Sequence, residues 1–415
     1  MRQFQLFTKT SRNAPKDEES KNAKLLIQAG FIRKEMAGVY SFLPFGLRVL
    51  NKIIGIIREE MNAIGGQELL LTTLQDPEVW KKTGRWVEEE ADPQHGLPWF
   101  KTKLVNKGEL GLANTHEEPL TNLMREHVAS YRDLPRYVYQ FQTKFRNELR
   151  AKSGIMRTRE FIMKDLYSFS RNEEEFRAFY EQCAEAYMKI FTRAGIGERT
   201  YRTFASGGSF SKFSDEFQTI CQAGEDTIYV DKKKNIAVNK EVYNDEILME
   251  LGLKKNEMSE ERAIEVGNIF PLGTKFSVPL GLTFKTAEGS EKPVIMGSYG
   301  IGPARLMGTV VEMLSDEKGI VWPESIAPFS VHLLALEGGE KEAKALYERL
   351  EKQGMEVLYD DRTDKSSGEK LVDADLLGIP TRIVVSARTL EQGSVEVKKR
   401  NEEKHELVKL DALTL

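Results

Sequence analysis

The run from Tyr139 to Phe169 narrows most what this chain can become. Tyr139-Gln140-Phe141-Gln142-Thr143-Lys144-Phe145 alternates aromatic with polar side chains at period two, which predicts a half-buried β-strand. It delivers Arg146 and Glu148 at its end. A loop holding Arg150, Lys152, Ser153 and Gly154 leads past Arg157, Arg159 and Glu160 into a second β-prone run, Phe161 to Phe169. Two antiparallel strands therefore collect four arginines and two glutamates at one end. A guanidinium forks onto two phosphate oxygens, and a carboxylate accepts from an exocyclic amine or an ammonium, so a nucleoside triphosphate suits such an end. From charge alone, a solvated turn laced with salt bridges fits as well.

The order of residues tips that balance. Phe145, Arg146 and Glu148, then a loop, Arg157, Phe161 and Asp165, resemble motif 2 of the class II aminoacyl-tRNA synthetases. More narrowly, Lys144-Phe145-Arg146-Asn147-Glu148 with Met156-Arg157-Thr158-Arg159-Glu160-Phe161 is similar to the bacterial-type prolyl-tRNA synthetases. The resemblance implies that Arg146 holds the α-phosphate and the amino-acid carboxylate, and that Glu148 and Phe161 meet adenine.

Three further stretches carry the same resemblance. Ala37-Gly38-Val39-Tyr40 through Leu43-Pro44-Phe45-Gly46 leads into a helical run, Pro44 to Ile64, in the place of motif 1, which packs two subunits together in the family. The strand expected over Gln67 to Leu74 carries Thr72 where motif 1 has a proline. After a strand at Leu110 to Ala113, Thr115 and Glu118 have capping-box spacing, with Pro119 suited to a first helical turn. The family's Thr-x-Glu loop, which recognises proline's secondary ammonium, falls on Thr115 and Glu117. Pro293 to Arg305 reads as a strand entering a helix through closely spaced glycines, and Gly300-Ile301-Gly302-Pro303-Ala304-Arg305 matches motif 3. Gly302 then approaches the nucleotide, and Arg305 holds the γ-phosphate and covers adenine.

Elsewhere the chain departs from the family. The glycine-rich turn Ser206 to Phe217 carries extra residues and places Asp215 where a histidine belongs. The stretch 242–265, where many bacterial relatives insert an editing domain, reads as a short helix-like linker. Glu173 to Ala194 is a core-packing helix. Beyond two prolines at Trp322 to Pro328, which stop the preceding helix, strands at Val331 to Leu336, Glu356 to Tyr359 and Thr381 to Ser386 alternate with helices at Glu340 to Gln353 and Gly368 to Leu377. That alternation implies a parallel, doubly wound sheet, and it resembles the anticodon-binding domain of class II synthetases. Asp361, Arg362, Glu369 and Lys370 sit at its strand ends, as anticodon contacts or as a solvated loop.

The expected protein is thus an α/β enzyme: an antiparallel class II catalytic domain over 1–323, without an editing insertion, and a doubly wound anticodon-binding domain over 324–415. The resemblance implies ligation of L-proline to its tRNA by way of prolyl-adenylate, with ATP and Mg as partners and a homodimer as assembly. Arg157, Thr158 and Arg305 take the triphosphate; Met163, Asp165 and Tyr167 shape the proline pocket, and Arg150 reaches the tRNA acceptor stem. The net charge of -4 disfavours a non-specific nucleic-acid binder. Cys183 and Cys221, alone and far apart, predict buried thiols, with no disulfide framework and no zinc site. No apolar span or signal sequence stands out, so the cytoplasm is the expected address and no membrane is involved. Non-catalytic synthetase-like proteins that bind nucleic acid are the rival class, and they should lack Arg146, Glu148 and Arg305.

Overall fold

A computed structural model describes residues 1–86, 99–106, 108–148, 153–208 and 210–413. Arg150 lies outside the described residues. The chain divides into two compact units, one of residues 36–39 and 54–309, the other of 1–35, 40–53 and 310–415.

The first unit is built on a mixed sheet with nine strands among the described residues. In hydrogen-bonded order these are Phe213–Ile220, Thr200–Ser206, Ile236–Asn239, Asp226–Asp231, Ser259–Gly273, Ile295–Ile301, Glu160–Ser170, Arg136–Phe145 and Gln67–Glu68, and Phe213–Ile220 pairs also with Ser259–Gly273, closing the first five strands on themselves. The expected hairpin is present, Arg136–Phe145 against Glu160–Ser170, with Gln140 opposite Asp165 and Phe145 opposite Glu160.

Its burial departs from the period-two expectation. Gln140 and Lys144 are buried whereas Phe141 and Phe145 are only half-buried. Both faces of the hairpin are covered: Tyr137 packs on Phe179 on one side, and Lys144 lies against His116 on the other. The polar face survives burial because its side chains satisfy one another: Gln140 Nε2 and Lys144 Nζ donate to opposite oxygens of Asp165 at 3.0 and 2.7 Å.

The helix Glu173–Arg193 covers the other face. Asn172 caps its start by accepting from the Glu175 N–H, and Phe176, Phe179, Tyr180, Cys183, Tyr187, Ile190 and Phe191 are buried along one side. Tyr137 stacks on Phe179 with ring centroids 3.6 Å apart. Both cysteines are buried.

Several local expectations are corrected. Gln67 to Leu74 is not one strand; Gln67–Glu68 joins the large sheet, and Leu74–Gln75 pairs instead with Glu109–Leu112. The stretch 242–265 is α-helical only at Asp245–Glu250, with a 3-10 turn at Lys255–Glu257, for the strand Ser259–Gly273 has already begun, held between two neighbours. No capping box forms at Thr115, because the helix Glu117–Met124 starts on His116 and its first two carboxylates are taken by an ion pair. The helix before Trp322 ends at Met313, and a two-stranded ribbon rather than a proline follows it.

In the second unit, Val357–Asp360, Val331–Ala335 and Thr381–Val385 form the parallel core of a five-stranded sheet. Ser394–Lys399 and Glu406–Lys409, which the alternation did not disclose, extend it antiparallel. Residues near the start of the chain belong here too: Arg2 bridges Tyr359, and Thr10 Oγ1 donates to Asp373 at 2.7 Å. Among the described residues, no helix is long and apolar enough to cross a membrane.

Candidate active site

Three segments far apart in sequence line one open cleft of about 620 Å³ in the first unit. The hairpin end supplies Arg146, Glu148, Arg157, Thr158, Phe161 and Met163. The central strand adds 265–268, and the turn into the helix Pro303–Met313 adds Gly302 and Arg305. Every residue expected to meet the nucleotide therefore faces the same space.

Arg146 is held lightly. Its Nε donates to the Asn114 carbonyl at 3.3 Å and its guanidinium lies 5.3 Å from the centre of the Phe161 ring. Burial and the like charge of Arg305 pull its pKa below the ordinary value, with Glu148, Glu265 and Glu117 opposing. Arg305 is fixed more firmly, donating to the Met156 carbonyl at 2.9 Å and to the Glu265 carboxylate at 3.1 Å. Two guanidinium groups turned toward one cleft repel each other until an anion sits between them.

Glu148 accepts from Arg157 Nε at 3.2 Å, while Arg159 clamps the Glu148 carbonyl with two donors at 3.1 and 3.0 Å. The second arm of Arg157 reaches Glu225 at 2.8 Å. Both sides of the cleft mouth are thus pre-positioned by ion pairs.

Glu265 lines the cleft, and Asp226 lines an adjoining hollow with Arg157 and Arg305. Glu216 is pushed up to about 8 by burial and by the neighbouring Glu265, and Asp226 is raised mainly by burial. Such oxygens suit a hard divalent cation. Among the described residues, no three acidic, imidazole or thiol side chains are placed to hold a metal by themselves. A folded-state pKa above the unfolded 4.5 means that Glu216 leaves stability intact below pH 4.5 and subtracts from it as pH climbs toward 8. The urea midpoint should therefore fall between pH 5 and 8, and Glu216→Gln should flatten that slope. An unchanged slope in the variant would assign the loss to other groups.

Beside the nucleotide cleft lies a second, enclosed cluster. Glu117 is buried, accepting from Thr115 Oγ1 at 2.6 Å, Arg85 Nη1 at 3.2 Å, Tyr167 at 3.2 Å and Ser298 at 3.4 Å. Arg85 also donates to Glu118 at 3.1 Å, and its guanidinium sits within about 5.4 Å of the rings of Trp80, Phe210 and Phe276. Burial and the charge of Glu117 raise Glu118 to about 7, against the pull of Arg85. Arg85 bridges the two buried carboxylates and Lys275 stands within their field, and the Glu117 oxygens offer an ammonium a charged acceptor.

Beneath it runs a chain of buried polar groups. His116 Nε2 meets the Thr72 carbonyl at 3.0 Å and its Nδ1 meets Lys144 Nζ at 2.7 Å. Burial and Lys144 lower His116 to about 4, so the ring is neutral, with Nε2–H donating and Nδ1 accepting. Lys144 then pairs with Asp165, which Tyr167 also reaches at 3.0 Å. Burial alone would raise Asp165, but Lys144, His116 and Gln140 bring its pKa below the ordinary value. Asp165 and Tyr167 thus act from the floor, and Met163 lines the nucleotide cleft. Asp215, in the family's histidine position, is occupied by Tyr180 and Arg202, each at 2.9 Å.

Sequence reasoning missed Arg85, His116, Lys144 and Glu118. The available signal was weak: Arg85 stands between Gly84 and Trp86, and Lys144 occupies a position that the alternation assigned to solvent.

In the second unit Arg362 donates to Asp360 and Asp373, Lys370 to the Ala335 carbonyl at 2.7 Å, and Glu369 closes a capping box with Ser366. Asp361 accepts from Arg2 at 2.5 Å. All four expected residues gather at the ends of parallel strands, and each already has a partner within the unit.

The antiparallel core and its paired arginines define a class II aminoacyl-tRNA synthetase: residues 100–314 match the tRNA synthetase class II core domain (G, H, P, S and T), and 326–414 match an anticodon binding domain. Proline--tRNA ligase from Methylobacterium sp. (strain 4-46) is 37% identical over 444 residues, covering 100% of this chain and 98% of that protein. The Agrobacterium fabrum proline--tRNA ligase is 36% identical, covering 99% and 98%. The chain belongs to the proline--tRNA ligase family. Its fold is also that of two solved prolyl-tRNA synthetases. The Cryptosporidium parvum protein, complexed with L-proline and AMP, has a TM-score of 0.75 at 16% identity, covering 94% of this chain and 72% of that one. The Giardia lamblia protein, complexed with prolyl-adenylate, has a TM-score of 0.75 at 19% identity, covering 94% and 75%.

Proposed function

We propose that this chain activates L-proline with ATP and transfers it to the 3′ end of the tRNA specific for proline. The observation that carries this reading is the convergence of Arg146 and Arg305 on one cleft whose neighbour is the buried carboxylate Glu117.

Glu117 accepts from the secondary ammonium of proline, a charged contact made beside the one it already has with Arg85. Thr115 and Tyr167 fix the Glu117 oxygens, Asp165 bounds the pocket from the hairpin, and Met163 stands on the side of the nucleotide cleft. Arg146 holds the proline carboxylate and the α-phosphate together; a carboxylate oxygen attacks phosphorus in line, and the bond to pyrophosphate breaks. Arg157, Thr158 and Arg305 bind the triphosphate; Glu148 and Phe161 hold adenine, with Gly302 allowing close approach. Catalysis is chiefly positioning and stabilisation of charge. Magnesium, held through the phosphates beside Glu265, would neutralise charge on the leaving pyrophosphate. The 3′-terminal ribose hydroxyl then displaces AMP.

Arg150 is assigned to the acceptor stem. Asp361, Arg362 and Glu369, supported by Lys370, are assigned to the anticodon. The catalytic region is 1–323 and the anticodon-binding region 324–415, and the working form is a cytoplasmic homodimer.

Proline-dependent exchange of pyrophosphate into ATP tests this directly. Exchange with proline and none with histidine, glycine or threonine is the expected result; no exchange with proline would return the chain to the non-catalytic class. Alanine should be activated detectably, since each missing methylene changes binding by only about 1 to 3 kcal/mol. With no hydrolytic domain over 242–265, alanyl-tRNA should persist, and its rapid hydrolysis by the purified protein would contradict that assignment.

A further inference from the structure

We propose that Arg85 is the residue that positions the Glu117 carboxylate, pinning its Oε2 so that Oε1 is left to the ring nitrogen of proline. This rests on the reading of Glu117 as the ammonium acceptor.

A short turn brings Arg85 to the cluster. The helix Pro77–Lys81 ends where the Thr83 and Arg85 N–H groups donate to the Trp80 carbonyl at 3.3 and 3.1 Å and the Gly84 N–H donates to the Lys81 carbonyl at 3.2 Å. Gly84 stands at φ 74°, in the left-handed region that favours glycine. The turn delivers two side chains to one place: Thr83 Oγ1 donates to Glu118 at 2.7 Å, and Arg85 Nη1 donates to Glu117 at 3.2 Å and to Glu118 at 3.1 Å. Trp99 Nε1 fastens the Arg85 carbonyl at 3.0 Å, and the guanidinium lies 5.4 and 5.3 Å from the ring centres of Trp80 and Phe276. A guanidinium enclosed in this way presents Nη1 in a defined direction.

The donors around Glu117 divide unevenly between its two oxygens. Oε2 takes Thr115 Oγ1 at 2.6 Å and Arg85 Nη1, whereas Oε1 takes the Tyr167 hydroxyl at 3.2 Å and Ser298 at 3.4 Å. The Tyr167 hydroxyl carries one hydrogen and stands nearer to Asp165, at 3.0 Å. Oε1 therefore keeps the capacity to accept. It lies beside Tyr167 and Ser298, which are opposite one another in the ladder between Glu160–Ser170 and Ile295–Ile301. Other cations near the cluster have different partners: Lys144 holds Asp165 and His116, and Arg146 donates to the Asn114 carbonyl. A carboxylate left to rotate would lose that freedom when proline binds, and one already fixed at Oε2 loses none.

The test compares five full-length proteins: wild type, Glu117→Gln, Arg85→Lys, Glu118→Gln, and Glu118→Gln combined with Arg85→Met. The double variant removes the cation together with one of its two carboxylates, so that it does not strand both. Each is titrated by calorimetry, in the presence of a non-hydrolysable ATP analogue, with L-proline and with (S)-tetrahydrofuran-2-carboxylate. The second compound keeps the ring and the carboxylate and has an ether oxygen in place of the ammonium. Measured against Glu118→Gln, loss of Arg85 should weaken proline about tenfold and leave the ether and the ATP analogue at the same affinity. Arg85→Lys, one bond shorter and measured against wild type, should show a smaller loss of the same kind. Glu117→Gln should lose a factor for proline at least as large as the double variant does. Equal weakening of proline and the ether, or proline held at its reference affinity in both Arg85 variants, would overturn the positioning role. The reading of Glu117 stands in those cases as long as Glu117→Gln weakens proline. If Glu117→Gln binds proline as tightly as wild type, both fall.

Discussion

Arg146→Ala is expected to lower kcat/KM for proline activation by roughly 10³, on the order of 4 kcal/mol of transition-state stabilisation, with stability changed by less than about 1 kcal/mol. The separation of the two effects follows from how the side chain is held. Its tether to the Asn114 carbonyl is long, at 3.3 Å, and it endures the repulsion of Arg305. The folded protein loses little when it goes, whereas the reacting phosphate loses its fork. Arg146→Lys keeps the charge without the planar fork and should recover only a small part of the rate. Pyrophosphate exchange beside urea denaturation reads both quantities. A variant with normal exchange would place the reacting groups elsewhere.

Lys144→Met should behave in the opposite way, losing about 3 to 5 kcal/mol of stability because it leaves Asp165 buried and unpaired. His116 would lose its Nδ1 partner at the same time. Adding Asp165→Asn should restore much of the stability, since the stranded charge is gone. Urea midpoints of the single and double variants measure the coupling. Additive losses would show that the ion pair is not what holds the floor together.

These two residues also mark where sequence reading succeeds and where it stops. The place of Arg146 at the cleft was legible because Glu148 and the returning Arg157, close to it in sequence, line the same space. Strand periodicity placed the hairpin correctly for the same reason: register is a local property. Lys144 was not legible. Its partners His116 and Asp165 come from other elements, and an alternating strand looks alike whether its polar face meets water or a buried network. Arg85 is a similar case, since nothing near it in sequence announces Glu117 and Glu118. The capping box at Thr115 fails on this ground too: the spacing was right, but Arg85 had claimed the carboxylates.

The tie between Arg2 and Asp361 spans 359 residues, and it has a consequence for biosynthesis. At a translation rate of about 5 to 20 residues per second, the leading segment waits roughly 20 to 70 s before its partners exist. Residues 54–309 complete their own contacts meanwhile, so the middle of the polypeptide can fold on the ribosome while both flanks are unfinished. Nascent chains stalled before the last hundred residues should already protect the central region from protease and leave the leading segment open to cleavage.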